Sequence, residues 1–254
     1  MKDQVINHQH IFESETKFRQ CHDSTVCELP EGLWPVMLTP FTREKEVDYE
    51  GLRALTRWYL DNGAAGLFAV CLSNEMELLT EEERLKITAC VKETAGDVPV
   101  ASTACVEVPT GASPAAGQNL VEDLIASARR MAAAGADIVV LLTNSFVYRD
   151  ESEDCIREAI GRILEAVPDV RFGLYECPKP YKRLFSPDLV AWCAKTGRFV
   201  FYKETSLSLE ILKGKLEAVK GTPLKIFNAD SSLMYEFLKM GGHGHCGVML
   251  NFHP

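Results

Sequence analysis

Beyond residue 30 the chain alternates short apolar runs with amphipathic stretches. The runs cover residues 33–38, 66–72, 98–104, 137–142, 170–175, 199–203, 224–228 and 247–251. Most are apolar on both faces, as strands of a sheet covered on both sides are. Helix signals fall between them. Thr80 and Glu83 form a T-x-x-E capping box ahead of the apolar-periodic stretch 85–91. Ser186 and Pro187 supply an N-cap and a proline at the first helical position. Asp48 and Asp230 precede two more periodic stretches, and Gly63, Gly135 and Gly241 close helices just before the next strand.

The pattern predicts eight strands with seven intervening helices, which is α/β and reads as a (β/α)8 TIM barrel lacking its last helix. An open doubly wound sheet shares the alternation. Against it, neither G-x-G-x-x-G nor G-x-x-x-x-G-K-[ST] follows the first strand. The length also matches the roughly 250 residues of a barrel. The barrel is expected over residues 31–254, with residues 1–30 as a polar N-terminal extension. Residues 106–119, rich in Gly, Pro, Ala and Ser, follow the third strand and read as a lid or an insertion.

The 254 residues are 46% hydrophobic and 25% charged, so a globular core needs no covalent staples. A net charge of −9 argues against nucleic acid or an anionic membrane as the main partner. The nine cysteines include no C-x-x-C pair and read as reduced thiols. No apolar run reaches the roughly 18 residues of a membrane helix, and the N-terminus lacks the apolar core of a secretory signal. A cytoplasmic location is expected.

Two residues change the picture. Lys203 ends one apolar run, and Tyr175, 28 positions earlier, ends another. That interval is one strand-plus-helix unit, so the two side chains are expected at neighbouring strand ends on the catalytic rim of the barrel. Ser73, Asn74 and Glu75 form a polar turn at the same rim. In a partly apolar mouth an amine is freed to attack a ketone, and the iminium that forms is an electron sink for making or breaking the adjacent C–C bond. A phenol beside it can relay protons. A single lysine at a strand end is otherwise a solvated charge; the convergence at one rim favours the catalytic reading.

Five segments carry a resemblance. They are Leu38-Thr-Pro-Phe41 with Asp48; the stretch 69–80 with Glu83-Arg84; Tyr175-Glu-Cys-Pro178; Tyr202-Lys-Glu-Thr205; and Gly241-Gly-His-Gly244 leading to Asn251 and Pro254. Together, over residues 32–254, they resemble the dihydrodipicolinate synthase/N-acetylneuraminate lyase family of class I pyruvate aldolases. The resemblance implies a Schiff base between Lys203 and a 2-oxo acid, with Tyr175 as proton relay. No cofactor is expected beyond that covalent imine. It also implies that the loop around Leu72, Ser73 and Asn74 holds the substrate carboxylate, that Cys246 lines the pocket, and that the protein is a homo-oligomer, dimer or tetramer.

The sequence departs from the family at several places. The carboxylate loop normally reads G-[TS]-T-G-E; here Leu72 removes one hydroxyl and Asn74 replaces the second glycine, while Ser73 keeps the other hydroxyl. The arginine that true dihydrodipicolinate synthases use for their second substrate falls at Pro180, beside Lys179, Lys182 and Arg183. The family's paired tyrosines align with Ser145 and Phe146, with Tyr148 nearby. The family continues past the eighth strand with further helices, so a truncated or remnant barrel is expected here. The departures favour a Schiff-base lyase of another specificity, with a dehydratase or decarboxylase of a sugar-derived 2-oxo acid, or a non-catalytic paralogue, as alternatives. A metal-dependent aldolase would need ligands; His243, His245 and Cys246 have the spacing, but their expected place at the start of the eighth strand, on the stability face, argues against a metal.

Overall fold

In a computed structural model, residues 31–107 and 119–252 are described; the predicted N-terminal extension and most of the predicted lid lie outside them. Seven parallel strands follow one another in a single sheet: β1 (Leu67–Val70), β2 (Val100–Thr103), β3 (Ile138–Leu142), β4 (Phe172–Tyr175), β5 (Phe199–Glu204), β6 (Lys225–Asn228) and β7 (Gly244–His245). Helices alternate with them: α1 (Tyr49–Asp61), α2 (Glu81–Ala95), α3 (Leu120–Ala133), α4 (Glu153–Ala166), α5 (Pro187–Lys195), α6 (Leu209–Ala218) and α7 (Met234–Lys239).

Closure comes from the segment 31–37, the expected first strand. It forms bridges rather than a regular strand, at Leu33 with His245 and at Val36 with Phe68. Its backbone nonetheless bonds to both sheet edges. Glu31 and Trp34 donate to the carbonyls of His243 and His245, and Met37 donates to Phe68, which returns a bond to Pro35. The sheet is therefore a ring, which the alternation alone did not fix.

The helix starts follow the capping chemistry. Thr80 Oγ1 accepts from Glu83 N–H at 3.3 Å while Glu83 accepts from Thr80 N–H at 2.7 Å. Asp48 caps α1 through Gly51 N–H, and Ser186 caps α5 with Pro187 as its first residue. Asp230 caps the short 3-10 turn Ser231–Leu233 instead of α7.

The barrel interior is filled by aromatic rings. Trp34, Phe201 and Phe227 meet at centroid distances of 4.7 to 5.3 Å, and Phe68 packs edge-on against Phe201 and Tyr175. These rings lie against the strand backbones closely enough to require glycine. A Cβ on Gly66 would stand 2.3 Å from the Trp34 ring, and one on Gly244 2.5 Å from Phe227. A second apolar layer, centred on Leu124, Ile160, Leu189 and Leu212, fills the space between sheet and helices.

The end of the chain differs from the expected eighth strand. Residues 247–251 are not strand: Val248–Asn251 is a 3-10 turn, and the pairing strand is Gly244–His245. Its residues lack the apolar run that marks the other strands, since Gly244 gives way to the Phe227 ring. The shift moves His245 as well. It pairs with Asn228, one step beyond the Phe227 level, so it stands at the catalytic rim and not on the stability face. His243 and His245 turn to different partners: His243 Nδ1 accepts from Ile226 N–H, and His245 Nε2 lies 3.3 Å from Ser231 Oγ.

Burial lowers the pKa of both histidines, helped by Lys225 at His243 and Lys203 at His245. Below pH 6.5, the ordinary value, the unfolded chain therefore binds protons that the folded chain refuses. Stability should fall with decreasing pH from there, by at most about 1.4 kcal/mol per pH unit for each histidine. Urea midpoints measured from pH 7.5 to 5 check this. The double variant His243→Gln/His245→Gln should lose less over that range; an unchanged slope would refute the assignment.

Candidate functional site

Strand register places the two predicted residues together. Leu142, Tyr175, Lys203 and Phe227 are successive Cα partners across β3 to β6, one layer at the C-terminal ends of the strands. Lys203 is 5% exposed and Tyr175 4%. The Lys203 ammonium lies 4.4 Å from the centroid of the Tyr175 ring and 5.5 Å from that of Phe68. An aromatic face attracts a cation, so the two rings fix where this amine sits.

The described residues hold two buried lysines, and their surroundings are opposite. Lys215 Nζ is ion-paired with Glu176 and Glu204, with all three side chains fully buried. The Lys203 ammonium has no carboxylate partner and no hydrogen bond among the described residues, and meets aromatic rings. An amine held beside aromatic rings, with no carboxylate to occupy it, is well placed to act as a nucleophile. The rim below it adds thiols. Cys71, Cys177 and Cys246 are buried, and burial pushes the Cys246 thiol up to about 12 against the opposing pull of Lys203. Burial likewise raises the Tyr175 hydroxyl far above the ordinary phenol value, with Cys177 hydrogen-bonded beside it. The phenol stays protonated.

The loop after β1 forms the 3-10 turn Leu72–Asn74. Asn74 is fully buried and its side chain is spent within the loop: Oδ1 accepts from Cys71 N–H at 3.0 Å and Nδ2 donates to the Ala69 carbonyl at 2.9 Å. Thr39 Oγ1 braces the Asn74 carbonyl. The side chain thus shapes the turn. Glu75 closes it in the left-handed region at φ 62°. The N–H groups of Ser73 and Asn74 and the Ser73 hydroxyl turn toward the Cys71 sulfur. Leu72 and Ser73 are half-buried on the open side.

A cavity of ≈ 420 Å³ adjoins the Tyr175 layer through Leu142. Met76, Cys105 and Pro180 line it, and Lys179 and Glu77 face each other across it at 3.5 Å. Ser145 and Phe146 lie elsewhere: Ser145 Oγ donates to the Leu142 carbonyl, and Phe146 packs on Phe185. Among the described residues no group of three or more His, Cys, Asp or Glu side chains could hold a metal ion. No helix among them is long and apolar enough to cross a membrane.

Sequence reasoning missed Phe68, Cys71 and Cys177, which contact or flank the reactive pair. Apolar strand residues look alike in sequence, and only the register shows which of them face the amine. It also missed Lys215, whose partners are Glu204 at the end of β5 and Glu176 just past the end of β4.

The family model described as the Dihydrodipicolinate synthetase family matches residues 29–254. Among curated relatives, the 4-hydroxy-tetrahydrodipicolinate synthase of Methanothrix thermoacetophila is 27% identical over 223 residues, 88% of this chain and 70% of that protein. The enzyme of the same name from Haloarcula marismortui is 25% identical, covering 88% and 68%. Among solved structures, YagE of E. coli K12, a prophage protein in complex with pyruvate, superposes with TM-score 0.74 at 24% identity, covering 88% of this chain and 72% of YagE. CdNal from Clostridium difficile, in complex with mannosamine, gives TM-score 0.72 at 18% identity, covering 88% and 72%. Barrel, register and family model agree: the chain belongs to the dihydrodipicolinate synthetase family.

Proposed function

We propose that the protein is a Schiff-base lyase that acts on pyruvate or a closely related 2-oxo acid, with Lys203 as the nucleophile. The observation that carries this reading is the unpaired, buried Lys203 ammonium over the Tyr175 ring at the barrel rim. The neutral amine adds to the C2 ketone, and the carbinolamine loses water to give the iminium. The Tyr175 hydroxyl gives its proton to the departing water, and the phenolate left behind takes the substrate's hydroxyl proton when the C–C bond breaks. In condensation it instead takes a C3 proton to form the enamine and passes it to the acceptor's carbonyl oxygen as the bond is made. The substrate carboxylate takes the donors of the β1 loop, the Ser73 hydroxyl and the N–H groups of Ser73 and Asn74, in place of the Cys71 sulfur. Leu72 and Cys246 would then bound the small methyl side of the substrate.

Lys203 and Tyr175 both come from one chain, so imine formation needs no partner subunit. A homo-oligomer would act on stability or on the second substrate; among the similar structures is one described as a monomeric dihydrodipicolinate synthase variant. Pro180 where the synthases carry arginine, and the Lys179–Glu77 pair across the adjoining cavity, support an acceptor other than that of the synthases.

Borohydride reduction in the presence of pyruvate should leave one stable adduct, located at Lys203 by peptide mass. Absence of an adduct with pyruvate and with a panel of other 2-oxo acids would refute the reading.

A further inference from the structure

Behind the reactive pair, on the outer face of the same two strands, lies a buried polar cluster. Tyr175 and Lys203 point into the barrel. Their chain neighbours Glu176, Tyr202 and Glu204 therefore point outward, under the helices. Lys215 reaches in from α6 and bonds to both carboxylates, at 3.0 Å to Glu204 Oε1 and more closely to Glu176 Oε1. Tyr202 OH also donates to Glu176 Oε1 at 2.6 Å. Thr205 ties the other side: its N–H donates to Glu176 Oε2 at 3.1 Å and its hydroxyl to the Glu176 carbonyl at 2.7 Å. The Glu176 N–H donates to the carbonyl of Lys203 itself at 3.2 Å. The end of β4 is thus bolted to the end of β5 on either side of Lys203.

Stability alone is a weak reason for such a cluster. Two carboxyl groups and one ammonium, all fully buried, cost more to desolvate than apolar side chains of the same size. Glu204 Oε2 is buried with no hydrogen-bond partner among the described residues. Burial raises the Glu176 pKa against the pull of Lys215. What the cluster supplies is directionality. Fixing the outward side chains of consecutive strand residues fixes the strand pitch, and with it the aim of the inward ones.

We infer that the Glu176–Lys215–Glu204 cluster is a positioning device for the Schiff-base lysine, holding Lys203 and Tyr175 in reacting geometry from the far side of the sheet. The inference rests on the Schiff-base reading above. A displacement of about 1 Å at a reacting group costs about 100-fold in rate, whereas a cluster that only filled space would leave the chemistry alone.

The test replaces the charges at nearly constant volume, in the triple variant Glu176→Gln/Glu204→Gln/Lys215→Met, with Lys215→Arg as the conservative control. The triple variant should fold at some cost in melting temperature, because a glutamine amide nitrogen at position 176 faces the N–H of Phe185 or of Thr205. Its adduct with saturating pyruvate and borohydride should form about 30- to 100-fold more slowly, while the pyruvate concentration giving half-maximal rate stays within about threefold. Lys215→Arg should recover most of the rate. Trapping by the triple variant at the wild-type rate would overturn the inference, and so would a rate that falls only in step with melting temperature. Should the triple variant fail to fold, Glu176→Gln alone is judged by the same two readouts. Absence of any adduct in the wild type would remove the Schiff-base reading itself, and the inference with it; a wild type that traps and a triple variant that traps equally fast removes the inference only.

Discussion

Lys203→Met should abolish both pyruvate trapping and turnover, the latter by at least about 10⁴-fold, because the amine of the adjoining cavity, Lys179, is engaged with Glu77 and not beside Tyr175. The fold should survive. Met matches the length and volume of the lysine stem, and the site around it is already apolar, with Phe68, Tyr175 and the buried thiol of Cys246. The substitution also removes an ammonium buried without a carboxylate partner. The melting temperature is therefore expected to hold or rise, the usual sign that a residue is kept for chemistry at some cost in stability. Lys203→Arg separates charge from nucleophilicity. It keeps the cation over the rings but cannot shed its proton to attack a ketone, so it should be as inactive as the methionine variant. The measurements are mass-spectrometric trapping, pyruvate release and a thermal melt. A variant that still traps pyruvate, with the adduct now on Lys179 or Lys215, would show that the nucleophile has been misassigned.

Much of this site was legible in the sequence because its geometry follows from strand arithmetic. The 28-residue interval between Tyr175 and Lys203 predicts neighbouring parallel strands, and the two are Cα partners in the sheet. The capping residues at Thr80 and Ser186 act locally, so they too could be read directly. What escaped depends on contacts across the fold. The barrel itself is expected from the sequence, but the backbone bonds that close it, from residues 31–37 to both sheet edges, are encoded in no local pattern. The last strand was misplaced because Gly244 and His245 carry no apolar run, the glycine being required by the ring of Phe227. Lys215 lies in a lysine-rich stretch, where nothing local sets it apart from its neighbours. Its burial is specified by Glu176 and Glu204, 39 and 11 residues away. The bonds by which the Asn74 amide braces the turn, to Cys71 N–H and the Ala69 carbonyl, are likewise set by the folded loop and not by the sequence pattern.

Tyr175→Phe isolates the proton relay from everything else that the tyrosine does. The ring that carries the Lys203 ammonium at 4.4 Å and packs edge-on against Phe68 is retained; only the hydroxyl is lost. Attack by the amine does not need that hydroxyl, but expulsion of water and the C–C step both do. Turnover should fall about 10²- to 10⁴-fold, the range attributed to a positioned acid–base group. The borohydride adduct should still form at Lys203, more slowly. Because burial keeps the phenol protonated far above the ordinary tyrosine range, wild-type turnover should show no alkaline limb from Tyr175 itself near pH 10. Any pH limb near neutrality must then belong to another group and should persist in the variant. Single-turnover trapping, steady-state pyruvate release and a pH series on both proteins measure these outcomes. If Tyr175→Phe kept more than half of the wild-type turnover, the proton would have to travel by another route, and a water or the Ser73 hydroxyl would become the candidate relay.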